Sequence, residues 1–292
     1  MSDCQILESK EFGALGRPIP HGHFVEFKQT MSAVNYLKEL AHNVNPYRPQ
    51  GCLLVGPPEG GKSFILRKVA KDCVAEFGPI GPREVPVIYM DAPVSGSRKE
   101  LFRTFADRLN IPLDYRASWD RIRPVIKKGF REAKTRVLLI DELNNVIAGP
   151  YQMQRMIIDD LKDISNDVGI PILCAGTREA LNAVGRSEQY RSRFRPIGLN
   201  TLKMDKTYIS ILSAFEEAMG IAQGTFASRK PSELIFLNSN QVIGRVVWLL
   251  NRALMLATEA KKDRIELEDI ERAGYTDLPW IDEAGRPIAR GN

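Results

Sequence analysis

The residues from 56 to 63 have the types and the spacing that bind phosphate groups. They read Gly56-Pro57-Pro58-Glu59-Gly60-Gly61-Lys62-Ser63 and fit the pattern G-x-x-x-x-G-K-[ST] at every fixed position. The glycines allow the backbone to turn its N–H groups inward, which makes a concave site for negative charge. Lys62 would then reach the β and γ phosphates of a nucleotide, and the Ser63 hydroxyl would ligate magnesium. The plain alternative is a glycine-rich turn that happens to contain lysine and serine.

The flanking residues supply the elements that such a loop needs. Residues 52–55 form a short apolar run, which predicts a buried strand. After the loop, the apolar residues Ile65, Val69, Cys73 and Phe77 stand four apart, as they do on one face of a helix. The order strand, loop and helix favours a nucleotide site at the helix N-terminus over a chance turn.

A second chemical signal is a pair of acids that follows the apolar run 137–140. These residues are Asp141 and Glu142, and together with the run they match the Walker B pattern. Asp141 is placed to hold the magnesium complex, whereas Glu142 could orient or deprotonate the attacking water. The pattern is weak by itself, but it follows the phosphate loop by roughly eighty residues, at the end of a later strand.

Further apolar runs complete the prediction of a parallel sheet. Residues 85–90 and 170–175 read as buried strands, and residues 197–199 read as a possible last strand. Helical segments lie between these runs, which is typical of a three-layer parallel α/β sandwich. Thr177 stands at the tip of the fourth run and could hydrogen-bond the γ phosphate or the attacking water. Alternatively, Thr177 only caps the next helix.

The chain divides into four predicted parts. Residues 1–29 form an N-terminal arm, residues 30–200 the α/β nucleotide-binding domain, residues 201–274 a small all-helical lid, and residues 275–292 a tail.

The composition is that of an ordinary soluble globular protein of 292 residues with a formal net charge of +5. This mild excess of positive charge permits a polyanionic partner without requiring one. Neither a signal peptide nor a segment of membrane-spanning length is found, and the four cysteines form no C-x-x-C pair. We therefore expect a cytoplasmic protein with reduced thiols.

A stripe of positive side chains recurs at spacings of four, four and three residues. It consists of Arg123, Lys127, Arg131 and Lys134. Such a stripe is either a solvated helix face or part of a nucleic-acid surface, and its spacing alone does not decide between the two.

These motifs together resemble the AAA+ ATPases across about residues 30–275: the phosphate loop, the Asp-Glu strand, Thr177, the segment 192–194 and the helical lid. The resemblance implies a P-loop NTPase core that binds ATP and Mg²⁺ and hydrolyses ATP. It also implies that Arg193, with Arg191 as the second choice, is an arginine finger that reaches the nucleotide of the adjacent subunit. Arg245, in a Gly-Arg pair that opens a lid helix, resembles the second sensor motif, whose arginine contacts the γ phosphate of its own subunit. A surface arginine is the alternative for the finger.

Within the AAA+ proteins the chain resembles the TniB/TnsC/MuB group of transposition regulators. The residues that carry this resemblance are the loop 56–63, the acidic strand, the segment 174–180 and the Arg-Ser-Arg-Phe run. The group implies assembly as a ring or helical filament on double-stranded DNA, where the protein marks a target site and recruits or stimulates the transposase. It implies DNA contacts by positive side chains in loops and at helix starts, which here are Arg98, Lys99, Arg116, Arg123 and Lys127. No DNA-recognition helix-turn-helix or zinc cluster is found, so we expect a target-selecting adaptor protein as a further partner.

Two other functions are compatible with the same motifs. A replicative helicase loader or initiator would assemble similarly but bind a helicase. A signalling scaffold would bind nucleotide without useful turnover, although such a scaffold has no need of the acid at Glu142.

Overall fold

The computed structural model describes residues 15–19, 25–42, 48–78, 81–94, 97–114, 116–147, 149–185 and 187–274. They form two compact units, which are described separately. One unit comprises residues 28–200. The other comprises the described residues before 28 together with those from 201 onward.

The first unit is built on a five-stranded sheet in the order β2-β3-β4-β1-β5, in which every neighbouring pair is parallel. The strands are β1 (Gly51–Val55), β2 (Val87–Asp91), β3 (Val137–Asp141), β4 (Ile172–Gly176) and β5 (Phe194–Gly198). All residues of β3 and β4 are buried, which explains why these strands read as continuous apolar runs in the sequence. The parallel α/β fold is therefore confirmed.

Strand β5 begins earlier than the sequence indicated. The prediction placed it at 197–199, after Pro196, whereas it runs over Phe194–Gly198. Because β5 is an edge strand, a proline without an N–H group is tolerated there, and its side chains can remain exposed. The exposed Arg195 and Pro196 concealed this strand from a search for apolar runs.

Helices cover both faces of the sheet. They are α1 (Lys28–His42), α2 (Lys62–Phe77), α3 (Arg98–Arg108), α4 (Trp119–Glu132), α5 (Asn144–Ile147), α6 (Tyr151–Val168), α7 (Arg178–Gly185) and α8 (Glu188–Arg191). Alternate strand residues such as Leu138, Ile140 and Cys174 share one core with α3, α4, α6 and α7. The intervening residues point to the opposite face, where α2 packs against the central strands. The result is a three-layer sandwich.

The second unit has its own apolar core. Its helices are α9 (Lys206–Met219), α10 (Arg229–Asn238), α11 (Ile243–Glu259) and α12 (Leu267–Ala273). Part of the predicted N-terminal arm packs on these helices: the backbone N–H of Arg17 donates to the Met219 carbonyl at 2.8 Å, and that of Ile19 donates to Asn251 Oδ1 at 2.8 Å. Within the described ranges, no helix combines the length and the apolar character that crossing a bilayer requires. The predicted tail, 275–292, lies outside the described residues.

Candidate functional site

The phosphate loop connects β1 to α2 and has the backbone that its glycines predict. Gly61 immediately precedes α2 and has a φ of 89°, a left-handed conformation that favours glycine. A Cβ on Gly60 would lie 2.9 Å from the Pro57 carbonyl oxygen, closer than van der Waals contact allows. The loop is therefore a tight cradle that side chains at these positions would distort.

Lys62 is the buried cation of this cradle. Its side chain is nearly enclosed, with the residue 4% exposed, and its Nζ donates to the carbonyl oxygens of Gly56 at 3.1 Å and Pro57 at 2.8 Å. Burial lowers the pKa of the Lys62 ammonium, while the negative charges of Glu142 and Asp141 oppose this shift. The ammonium thus lies within the loop, bound to neutral carbonyls that a phosphate oxygen would outcompete.

Asp141 ends β3 and is oriented by hydrogen bonds at both carboxylate oxygens. Its Oδ1 accepts from the backbone N–H of Glu142 at 2.8 Å, and its Oδ2 accepts from the Tyr89 hydroxyl at 3.0 Å. That hydroxyl in turn accepts from Arg67 Nε at 3.2 Å. Burial raises the pKa of Tyr89, so the phenol remains a protonated donor at neutral pH. Arg67 and Tyr89 therefore hold the Asp141 carboxylate in one orientation.

Glu142 has an unusual backbone conformation. Its φ is 51°, a left-handed value that a residue with a side chain adopts only when the surrounding structure enforces it. Its Oε2 accepts from Asn144 Nδ2 at 3.1 Å, and Asn144 Oδ1 accepts from the backbone N–H of Thr177 at 3.3 Å. One amide side chain thus connects the predicted general base to the tip of β4.

Thr177 immediately precedes α7 and also lies at the site edge. Its carbonyl accepts from the Leu181 N–H at 3.3 Å, and its hydroxyl donates to the Glu179 carboxylate. Both contacts belong to the start of a helix, which was the alternative role for this residue. A contact from the Thr177 hydroxyl to a phosphate would require the hydroxyl to leave Glu179.

The residues present fit a magnesium–nucleotide complex. The loop amides and Lys62 supply positive potential for phosphates, and an added Cβ at Gly60 would destroy the cradle. Ser63 at the start of α2 and Asp141 at the end of β3 supply oxygen ligands, which magnesium prefers. These two residues would hold the ion together with phosphate oxygens and water.

The two candidate finger arginines differ in exposure. Arg191 ends the short helix α8 and is exposed, whereas Arg193 is half-buried, with its Nη1 3.5 Å from the Pro49 carbonyl oxygen. Burial and the nearby Arg48 lower the pKa of Arg193. Arg191 is therefore the more accessible of the two side chains. Arg245 is exposed on α11 of the other unit, and its role toward the nucleotide stays a prediction.

Three of the five predicted DNA-binding cations are paired with carboxylates of α6. The Arg98 guanidinium donates two hydrogen bonds to the Asp160 carboxylate. It also stacks on Trp119, with Arg98 Cζ 3.8 Å from the ring centroid. Arg123 contacts Asp163 and lies 3.6 Å from Asp160. Further along the same face, Lys127 lies 2.5 Å from Asp163 and 3.4 Å from Asp167.

An acidic stripe on α6 therefore compensates the charge of the three stripe residues that lie on α4, whereas the fourth, Lys134, follows the end of α4 and pairs with Glu84 instead. Arg131, one turn beyond Lys127, follows the same pattern, since its Nη2 lies 2.6 Å from Asp167. These pairs join α4 to α6 and reduce the positive potential that the stripe offers to a polyanion.

The other two predicted DNA-binding residues are differently placed. Lys99, in the first turn of α3, is exposed, and the described residues show no ion-pair partner for it. Arg116 is exposed in the turn before α4, where its backbone N–H donates to Asp114 Oδ1 at 2.9 Å. Their positive charges remain available at the surface.

Sequence reasoning missed Tyr89 and Asn144. Tyr89 is a polar residue within β2, and it stands two positions before Asp91, on the same face of the strand. Asn144 comes two residues after Glu142. The sequence shows that each position carries a polar side chain. It does not show which residue, distant in the chain, that side chain contacts after folding.

The sheet order, the phosphate loop after β1, the acids after β3 and the separate helical unit define a P-loop NTPase fold of the AAA+ class. The chain belongs to the TniB family, because the family model "Bacterial TniB protein" matches residues 17–204. A comparison with curated protein sequences gave no match.

Solved structures of the same fold are similar at low sequence identity. The Orc1 protein of Aeropyrum pernix, solved in complex with DNA, has a TM-score of 0.65 and 14% identity, over 89% of this chain and 69% of that one. Cdc6p of Pyrobaculum aerophilum has a TM-score of 0.66 and 19% identity, over 86% and 68% of the two chains. Domain III of the Thermotoga maritima replication initiation protein DnaA has a TM-score of 0.57 and 16% identity, over 87% and 93%. These likenesses support the AAA+ fold.

Proposed function

We propose that this chain is an ATP-dependent regulator of DNA transposition. It assembles as a ring or filament on double-stranded DNA, marks the insertion site, and recruits and activates the transposase, and ATP hydrolysis takes the assembly apart. The observation that carries the proposal is the joint presence, in a member of the TniB family, of a buried loop lysine and a fixed acidic pair beside it. A scaffold without turnover would not need Glu142 held in a strained conformation.

The hydrolytic step follows from the positions of the side chains. Lys62 would exchange its two loop carbonyls for phosphate oxygens and offset their charge. Ser63 and Asp141 would hold magnesium, which would supply further positive charge at the phosphates. The Glu142 carboxylate accepts a proton from water as the water oxygen attacks the γ phosphorus, and the bond to the bridging β-γ oxygen breaks with its electrons. ADP and inorganic phosphate leave.

Assembly would complete this site. An arginine from the next copy stabilises the charge of the transferred phosphoryl group, so that efficient turnover requires neighbouring subunits. Exposure favours Arg191 over Arg193 for this role, although the Ser-Arg-Phe resemblance by itself favours Arg193. Arg245, on the helical unit, would contact the γ phosphate of its own subunit.

The proposed DNA contact is made by Lys99 and Arg116 through the phosphate backbone. Such contacts tolerate any sequence, as a target marker requires, and they are sensitive to salt. We assign a structural role to Arg98, Arg123 and Lys127, because their charges are already paired with α6. An adaptor protein, rather than base contacts, would then select the target.

The test uses two variants that block different steps. Glu142→Gln keeps the phosphate site but removes the base, so it should hold an ATP-loaded assembly on DNA. Lys62→Ala removes the phosphate-binding cation and should abolish nucleotide-dependent DNA binding. Electron microscopy of each variant with duplex DNA, with and without ATP, checks this expectation. Retention on DNA that is equal for both variants and indifferent to nucleotide would refute the switch.

A mixing experiment tests the arginine from the neighbouring copy. Subunits with Arg191→Ala retain a working phosphate loop, and subunits with Lys62→Ala retain the arginine, so mixtures should recover part of the ATPase activity. The same mixture with Arg193→Ala serves as the comparison. If only the mixture that contains Arg193→Ala recovers activity, Arg193 is the arginine finger. If neither mixture recovers activity at any ratio, the shared site is refuted.

Capture experiments test the partners. The full chain, loaded with ATP on DNA, should retain the transposase and not a replicative helicase. Retention of the helicase instead would favour the loader or initiator function.

A further inference from the structure

An apolar groove lies outside the nucleotide site, where the starts of α3, α4 and α6 meet. The groove is open to solvent and has a volume of about 350 Å³. Its walls combine methionines with one aromatic ring and several positive or small side chains: Ser97, Arg98, Lys99, Ala117, Trp119, Ile122, Met153 and Met156. We call it the methionine groove. Its volume suits one or two bulky side chains rather than a large ligand.

The floor of this groove remains exposed to solvent. Met153 is 37% exposed and Met156 is 47% exposed, although both lie on α6, whose opposite face is buried in the core. Exposed methionines adapt their shape to apolar partners, and they are frequent on protein surfaces that bind peptides. The groove thus has the chemistry of a peptide-docking surface.

The rim of the groove is positively charged. Lys99 lines it directly and is exposed, and Arg116 precedes the wall residue Ala117 in the chain and is also exposed. Arg98 closes one side, where it is fixed by its stack on Trp119 and its bonds to Asp160. An occupant that matches this surface carries bulky apolar side chains flanked by carboxylates.

Residues 277–283 of this chain have that composition. They read Asp-Leu-Pro-Trp-Ile-Asp-Glu. In the sequence, the apolar residues Leu278, Trp280 and Ile281 are preceded by Asp277 and followed by Asp282 and Glu283. We propose that this segment of one copy docks in the methionine groove of a second copy, with the Trp280 indole against Met153 and Met156 and the acids toward Lys99. The Pro279 residue restricts the segment before binding, which reduces the entropy lost on docking.

This inference rests on the proposed function only in its DNA part, because two copies would dock away from DNA. It adds a consequence for DNA, since Lys99 belongs both to the groove and to the proposed DNA contact. The docked segment and duplex would then compete for one cation. An assembly on DNA would release the segment and leave it free for other partners.

The experiment places a photoreactive side chain in the groove of the full chain. Met153 is replaced by p-benzoyl-L-phenylalanine, the protein is mixed with ¹⁵N-labelled chain and irradiated without DNA, and the cross-linked peptides are mapped by mass spectrometry. We expect cross-links to residues 277–283 of the labelled chain. Trp280→Ala in the labelled chain should lower the yield of these cross-links about tenfold, as is typical when a central aromatic anchor is lost. The same photoreactive residue at Leu237, which is 71% exposed on α10, is the matched control and should not label the segment.

Charge reversal gives a second, independent measurement. Lys99→Glu in the photoreactive chain should lower the yield, and Asp282→Lys with Glu283→Lys in the labelled chain should restore it. Added duplex should also lower the yield. Cross-links confined to one chain, an unchanged yield with Trp280→Ala, or a yield that added duplex leaves unchanged would each overturn the proposal. Mass photometry of the same samples reports assembly separately, so a failure to assemble is distinguished from a failure to dock.

Discussion

The sharpest test of the DNA surface compares two lysines that the sequence treats alike. Lys99 is exposed at the start of α3, without an ion-pair partner in the described residues, whereas the Lys127 ammonium lies between Asp163 and Asp167 with a side chain only 17% exposed. If charge compensation decides which cations meet phosphate, Lys99→Ala should weaken DNA binding and Lys127→Ala should not.

The expected magnitude follows from counterion release. Each phosphate contact contributes about 0.9 to the slope of log affinity against log salt concentration. A fourfold rise in salt should therefore cost about 3.5-fold in affinity for each Lys99 contact. Lys99→Ala should reduce the slope by about 0.9 for every subunit bound to the duplex, whereas Lys127→Ala should leave the slope unchanged.

Fluorescence anisotropy of a labelled duplex, titrated with protein and a non-hydrolysable ATP analogue at several salt concentrations, measures both slopes. Asp163 and Asp167 keep Arg123 and Arg131 as partners when Lys127 is removed, so this variant exposes no unpaired carboxylate. A slope reduced as much by Lys127→Ala as by Lys99→Ala would refute the argument that α6 neutralises the α4 stripe.

Three further predictions follow from single contacts. Asp160→Asn removes a buried charge that holds Arg98 and should lower the free energy of unfolding by about 2–3 kcal/mol. The thermal unfolding midpoint should then fall by roughly 5–10 °C. The control Asp167→Asn removes a more exposed charge and should lower the free energy of unfolding by less than about 0.5 kcal/mol. Tyr89→Phe removes the donor to Asp141 and should raise the magnesium concentration for half-maximal binding of a fluorescent ATP analogue about tenfold or more; an unchanged magnesium requirement would contradict the orienting role. Gly60→Ala should weaken nucleotide binding at least about tenfold in isothermal titration, because the added Cβ would lie 2.9 Å from the Pro57 carbonyl oxygen and force the loop open. Gly198→Ala is the control and should have no effect, because its added Cβ would meet nothing within 4 Å.

The strands and the phosphate loop were predictable because local sequence determines them. Central strands buried on both faces are continuous apolar runs, and the predicted run 137–140 differs from β3 by one residue. The loop and the acidic pair are short motifs whose neighbours in the chain are also their neighbours in space. The edge strand β5 was predicted less well, since an edge tolerates the Arg195 and Pro196 that an apolar search rejects.

The environment of the site depended on contacts that are distant in the chain. Tyr89 reaches Asp141 across 52 residues, and Asn144 reaches Thr177 across 33. Periodicity identified these positions as strand or loop, but it could not identify the partner that each side chain would find. Sequence reasoning therefore assigned the chemistry of the nucleotide site without the residues that orient it.

The partners of the basic stripe were also unpredictable from the sequence, and they change which residues are expected to bind DNA. A spacing of four residues places Arg123 and Lys127 on one face of α4, and that part of the prediction concerns a single helix. Whether this face meets solvent or protein depends on α6, whose acids lie 36 and 40 residues further along the chain from their partners. Those acids pair with the three stripe residues on α4. Lys99 and Arg116 are therefore the predicted DNA-binding residues that the described part of the chain leaves without an ion pair, and Lys99 lines the methionine groove together with Met153 and Met156. A polyanion and an acidic peptide would then both be drawn to the same short stretch of surface, which is why competition between them is the expected behaviour of this protein.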